Sequence, residues 1–229
     1  AEKYISQFML SNSDLVVEIG SNDGYLLSQI KGSGCEVLGI DPAINATDIA
    51  IRSEIPTIVD FFSSRVARTI LGHYSTPKLI IANNVLAHSD SLQDIFGGIS
   101  ILMGPDSTAV IEFSYVVDVF EKLLFDTIYH EHFSYLSLTA ASRIFAHNGL
   151  TVFDVEEPPT HGGSLRVFAQ RTNSGTHVVA PRVAEMLARE GAAGMTTHDY
   201  YAGFQSHADQ IKNAFLAFLI EAKNTGKKV

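Results

Sequence analysis

Three observations predict an α/β fold, a mostly parallel sheet with helices on both faces. Short apolar runs alternate with helical patterns from Asp14 onward. The first run ends in a glycine-bearing turn, Glu18-Ile19-Gly20-Ser21-Asn22-Asp23-Gly24, and the second ends in an acid, Gly39-Ile40-Asp41-Pro42. Parallel strands need crossover connections, and helices alternating with strands supply them.

The chain opens in an amphipathic helix carrying Tyr4, Phe8 and Met9. Strands are predicted at 15–19, 36–40, 57–59, 78–82 and 109–113, with helices at 24–31, 45–52, 63–71 and 91–103 between them. Ligands of such a sheet belong at the carboxyl ends of the strands, where Gly20, Asp41, Asp60, Asn83 and Asn84 fall. After Tyr115 the rhythm breaks. Residues 116–135 are rich in aromatics and histidines without a clear period, which predicts an irregular insertion over the strand ends. A helix at 138–147 starts at a Ser137 cap and stops near Asn148-Gly149. Strands at 150–155 and 164–170 follow, joined by a loop so short that only an antiparallel pair is possible. Residues 182–228 read as helical, with Ile211, Phe215, Phe218 and Leu219 forming one apolar stripe suited to packing. The expected organisation is a sheet domain at 1–175, with residues 1–13 as its leading helix, and a helical extension at 176–229 leading toward a further domain.

Composition narrows the functions available. A net charge of −9 supplies no basic stripe for a nucleic-acid backbone. The apolar runs are too short to span a bilayer, and a cytoplasmic protein without a membrane partner is expected. The single Cys35 excludes an internal disulfide and a cysteine-built zinc site within this sequence, and it reads as core.

The glycine turn discriminates between nucleoside ligands. A strand that stops at glycines lets a ligand sit against bare amides, and an acid at the next strand tip can accept hydrogen bonds from ribose hydroxyls. A dinucleotide fingerprint would carry a third glycine and place a pyrophosphate on the helix start. Here only Gly20 and Gly24 appear, and Glu18 and Asp23 would repel a phosphate. A ligand with a cationic amino-acid portion suits these carboxylates, which points to S-adenosylmethionine, leaving S-adenosylhomocysteine as product. Glu18, Gly20, Asn22, Asp23, Gly24, Asp41, Pro42, Asp60, Phe61, Asn83 and Asn84 are its expected contacts.

The tract Tyr129-His130-Glu131-His132-Phe133-Ser134-Tyr135 carries the next candidates. Its histidines are two apart, which rules out the helical zinc-protease spacing. In an extended strand His130 and His132 would share one face; in a turn all four side chains could converge, and the sequence fits both. Either histidine is a candidate base. His88, one helical turn past the fourth strand, would line the acceptor side of the methyl group. His161 sits in a loop shaped by Pro158-Pro159 and Gly162-Gly163.

Five wound strands followed by a helix and an antiparallel hairpin is the element order of a class I, Rossmann-like methyltransferase, with seven strands and an antiparallel last one. Over residues 14–171 the chain resembles the sugar C-methyltransferases that act on nucleotide-linked deoxysugars. The resemblance rests on the two turns above, on Asn83-Asn84-Val85-Leu86-Ala87-His88, on the Tyr129 to Tyr135 tract, and on Thr160-His161-Gly162-Gly163-Ser164-Leu165-Arg166. It implies that His132 is the base, assisted by Tyr129, with Glu131 and His88 holding the sugar and its keto group, and His130, His161 and Arg166 contacting substrate. Removing a proton beside a ketone would give an enolate able to take the methyl group, with no metal required. Family members usually carry a cysteine-rich zinc domain before this region and an α/β domain after it, and those parts help to build the nucleotide-sugar pocket. The other readings are oxygen or nitrogen methylation of a small metabolite, and a non-catalytic module that binds the cofactor. The oligomeric state is open.

Overall fold

A computed structural model describes residues 1–228. Its strands are β1 (Leu15–Ile19), β2 (Glu36–Ile40), β3 (Thr57–Ile58), β4 (Leu79–Asn83), β5 (Thr108–Ser114), β6 (Leu150–Glu156) and β7 (Ser164–Arg171). They form one sheet in the order β3-β2-β1-β4-β5-β7-β6. Only β7 runs against its neighbours, pairing antiparallel with β5 and β6. The strand order reverses between β1 and β4, and an open α/β sheet binds its ligand at such a switch point.

Period-two alternation divides the core into two layers. Leu15, Val17 and Ile19 face the layer that holds α4 (Ser64–Leu71), α5 (Leu92–Leu102), α7 (Leu138–His147) and α8 (Pro181–Ala192). Val16 faces the other layer with α1 (Glu2–Gln7), α2 (Tyr25–Lys31) and α3 (Ile44–Arg52). A strand covered on both faces reads as an unbroken apolar run, as β1 and β4 do. Ser63 and Ser137 cap α4 and α7, their hydroxyls accepting from Val66 N and Ala140 N. Cys35 is buried and free, as expected of a core residue.

Several expectations are corrected. The 116–135 segment is not irregular throughout: α6 (Val116–Glu121) opens it, with Val116, Val117 and Val119 buried. Three β-branched residues disfavour a helix locally, so burial against the sheet stabilises it where local propensity does not. The helical tail is broken into α8, α9 (Asp199–Ala202) and α10 (Phe204–Asn224), with Gly194 at φ +78° in the break. On α10, Ile211, Phe215 and Phe218 are exposed, since no described element packs on that face. Met9 leaves the apolar face of α1 because the helix has already ended at Gln7, and it lies exposed at φ +48°.

The start of the tail is welded to the sheet domain. The buried Glu190 carboxylate on α8 accepts from Tyr115 Oη at 2.8 Å and from Leu138 N and Thr139 N, each at 2.7 Å. It therefore satisfies the first turn of α7 and the phenol that follows β5. No helix among the described residues is long and apolar enough to cross a membrane.

Candidate active site

Two adjoining cavities open at the carboxyl ends of the strands. The larger, of about 750 Å3, lies over β1, β2 and β4, and Gly20, Asn22, Asp41, Pro42, Phe61, Asn83, Asn84 and His88 line it. The smaller, of about 270 Å3, is walled by Asn84, His88, Tyr129, His132 and His161. Asn84 and His88 form the partition, since both line both cavities.

The floor of the larger cavity is set by backbone geometry. Gly20 has φ +70°, and a Cβ there would stand 2.4 Å from Val85 Cγ2, so any side chain would obstruct the turn. The Asp41 carboxylate is fixed by two main-chain donors, Oδ2 accepting from Asn22 N and Oδ1 from Ala43 N, each at 2.9 Å. Each oxygen keeps a lone pair for a ligand hydroxyl.

Beneath the turn lies an unusual carboxyl. Glu18 faces the α1–α2 layer, 6% exposed, with Oε2 unpartnered. Burial pushes its pKa up to about 8, and the charges of Asp23 and Asp41 add to the rise. Asn83 Oδ1, at the tip of β4, and Ser21 Oγ, just past β1, are also buried without hydrogen-bond partners.

The smaller cavity is built from loops. Tyr129 and His132 sit at the ends of a tight turn closed by His132 N donating to Tyr129 O at 3.0 Å. Their rings approach to 4.2 Å between centroids, while His130 and Glu131 occupy the exposed tip. Of the two geometries open to the sequence, the turn is the one adopted. Phe133 N donates to Ala87 O at 2.7 Å, fastening the tract to the segment after β4. The His88 ring stands edge-on to His132 at 4.8 Å.

His132 Nδ1 lies 3.0 Å from Thr127 O. A carbonyl only accepts, so Nδ1 carries the proton and Nε2 keeps its lone pair. Burial holds the pKa of this imidazole below the ordinary histidine value, and the neighbouring His88 lowers it further. At neutral pH the ring is uncharged and its Nε2 is basic.

The remaining candidates lie outside both linings. Asp23 accepts from Tyr25 N at the start of α2, and Gly24 turns the chain at φ +78°. Asp60 pairs with Arg65 at 2.7 Å, and that hydrogen bond holds its carboxyl below the usual range. Arg166 is engaged by Glu112 and Glu156. Sequence reasoning passed over Phe133, 63% exposed at the larger cavity, and Thr127, whose carbonyl orients the His132 ring. Phe133 stands inside the aromatic tract, so a signal existed. Thr127 acts through its main chain, which no residue identity announces.

A family model described as a methyltransferase domain matches residues 3–155. The chain belongs to the methyltransferase domain family. A second model, described as a C-methyltransferase C-terminal domain, matches residues 159–229 of this methyltransferase. The C-methyltransferase NovU of Streptomyces niveus is 35% identical over 208 residues, 91% of this chain and 49% of that protein. The chain thus spans about half the length of the curated relative it matches.

Solved structures share the fold of the methyltransferase domain. Magnesium protoporphyrin IX methyltransferase from Synechocystis, with bound SAH, aligns with TM-score 0.57 and 15% identity, covering 73% of this chain and 78% of its own. The YcgJ protein of Bacillus subtilis aligns with TM-score 0.58 and 11% identity, covering 74% and 97%. The donor of this family, S-adenosylmethionine, fits the larger cavity: a glycine floor without Cβ, an acid with free lone pairs, and buried unpartnered oxygens at the strand tips.

Proposed function

We propose that this methyltransferase domain transfers a methyl group to carbon, on a keto-deoxysugar carried by a nucleotide, after His132 has generated an enolate. The observation that carries the reading is the His132 imidazole, its Nδ1 proton committed to Thr127 O and its Nε2 free beside the partition between the two cavities. Similarity to the C-methyltransferase of Streptomyces niveus and to the C-methyltransferase C-terminal domain supports carbon as the acceptor atom.

The larger cavity is assigned to S-adenosylmethionine, with Asp41 and the turn at Gly20 and Asn22 as its holders. When bound, this group supplies an electrophilic methyl on sulfonium. The acceptor enters the smaller cavity. Carbon beside a carbonyl is weakly acidic, and a neutral imidazole of depressed pKa, oriented by one hydrogen bond, can remove its proton. Tyr129, packed on His132, assists that proton transfer. His88 stands where it can reach the keto oxygen from the partition, and Glu131 at the turn tip holds the sugar. A soluble cytoplasmic setting, a small-molecule substrate and no metal complete the reading.

Solvent deuterium exchange at the acidic carbon tests it without any donor present. His132→Ala is expected to slow exchange by roughly 10²- to 10⁴-fold while donor affinity measured by calorimetry holds. Normal exchange in that variant would overturn the base assignment, and a methyl found on oxygen by NMR of the product would overturn carbon methylation.

A further inference from the structure

The loop between β6 and β7 is clamped more firmly than a connection needs. His161 occupies left-handed backbone at φ +53°, ψ +35°, a conformation uncommon for a residue other than glycine. The two glycines after it are sterically required. A Cβ on Gly162 would lie 2.6 Å from Leu124 Cδ1, and one on Gly163 would lie 1.8 Å from Asp118 Oδ2. Lys122 Nζ donates to Gly162 O at 2.9 Å and pairs with Asp118 at the same distance, so α6 grips the loop from one side.

The other side is gripped from the sheet. The Thr160 hydroxyl donates to Glu112 Oε1 at 2.9 Å, and Ser164 Oγ donates to Thr160 O at 3.0 Å. Glu112 is itself buried on β5, and its second oxygen, Oε2, accepts from Arg166 Nε at 2.9 Å and Nη2 at 2.6 Å. Arg166 Nη1 then reaches Glu156 at 3.0 Å, and its guanidinium lies over the Tyr4 ring. Glu112, Glu156 and Tyr4 thus engage most of the Arg166 side chain, which is 20% exposed. The chain of contacts runs Arg166, Glu112, Thr160, and ends at the residue before His161, which lines the smaller cavity.

We propose that Arg166 and Glu112 are positioning residues, holding Thr160 so that His161 delivers a ring N–H to the carbonyl oxygen of the acceptor as charge develops there. This rests on the enolate reading above. In that step the carbon–hydrogen bond breaks, its proton passes to His132 Nε2, and its electron pair moves into the carbonyl to give an enolate oxygen. A preorganised donor aimed at that oxygen stabilises the transition state more than the ground state. His161 and His88 reach the acceptor from different walls, one on the hairpin and one on the segment after β4.

The test is deuterium exchange by the full-length protein, using keto-deoxyhexoses linked to thymidine diphosphate and to uridine diphosphate. His161→Ala and Thr160→Val are both expected to lower the exchange rate at saturating acceptor by roughly 10- to 100-fold. The half-saturating acceptor concentration should stay within about threefold, and the pH midpoint, set by His132, should not move. Thr160→Ser keeps the donating hydroxyl and is expected to restore the rate. A Thr160→Val protein with normal exchange would overturn the positioning chain. A loss seen wholly in half-saturation, or loss of acceptor binding in Arg166→Lys with Thr160→Val unaffected, would make these residues substrate ligands instead. Absence of exchange in the unaltered protein with both probes would sink the enolate reading and this inference together, whereas normal exchange in His161→Ala would sink this inference alone.

Discussion

The larger cavity is walled by the tips of adjacent strands, the smaller by loops that come together from the segments after β4, β5 and β6. In the first, the key contacts are local: Gly20, Asn22 and Asp41 lie within one crossover unit, Gly20 N donating to Ile40 O and Asn22 N to the Asp41 carboxylate. In the second, His88, His132 and His161 are separated by long stretches of sequence and meet only because α6, the tight turn and the hairpin are each packed against something else. A site made by one supersecondary unit is as stable as that unit. A site made by three loops depends on the rest of the domain.

That contrast can be broken most severely at Glu190. Glu190→Ala leaves Tyr115 Oη and two main-chain donors of α7 buried without a partner, and is expected to cost about 3–5 kcal/mol in denaturant unfolding. Because α7 follows directly on the Tyr129 to Tyr135 tract, deuterium exchange should suffer in the protein that remains folded while donor affinity holds. Equal loss of both would show that the two cavities are not independent.

On the donor side, Gly20→Ala forces a Cβ into Val85 at a backbone angle that disfavours side chains. Calorimetric affinity for S-adenosylmethionine should fall by about 100-fold, or about 3 kcal/mol. Adding Val85→Ala should recover part of the loss, and full recovery would show that the clash, not the backbone angle, was the whole effect.

Glu18 tests the donor floor through pH. A carboxyl whose folded pKa is raised binds more protons in the native than in the unfolded state, so stability falls as pH rises from the ordinary carboxylate range through about 8. Glu18→Gln should abolish that fall and gain up to roughly 5 kcal/mol near pH 9 in thermal or denaturant unfolding. An unchanged pH profile would mean that Glu18 is hydrated rather than buried.

The smallest effect sharpens the acceptor side. The pH midpoint for exchange should lie below the ordinary histidine value, with the rate flat above it. His88→Ala should raise the midpoint by only a fraction of a unit, since burial is the larger cause of the depression. A full return to the ordinary value would reverse that ranking.

The same contrast explains what could be read from residues alone. The five parallel strands, the hairpin and the donor turn were legible because each is encoded by a run of adjacent residues whose period or glycine content is local. Helix α6 was not, because Val116, Val117 and Val119 form it only when buried. The turn that joins Tyr129 to His132 was left open, since spacing alone fits two geometries. The placing of Arg166 among Glu112, Glu156 and Tyr4 was invisible, because those partners lie on three other elements.

The hydrogen bond from Phe133 N to Ala87 O joins the loop bearing His132 to the segment after β4, which separates the two cavities, through main chain alone. Side-chain replacement on either wall leaves that joint intact, proline at 133 excepted. The lining of the smaller cavity can therefore change without moving the His132 loop relative to the strand tips. One peptide group thus fixes how the two cavities stand to each other, whatever side chains line them.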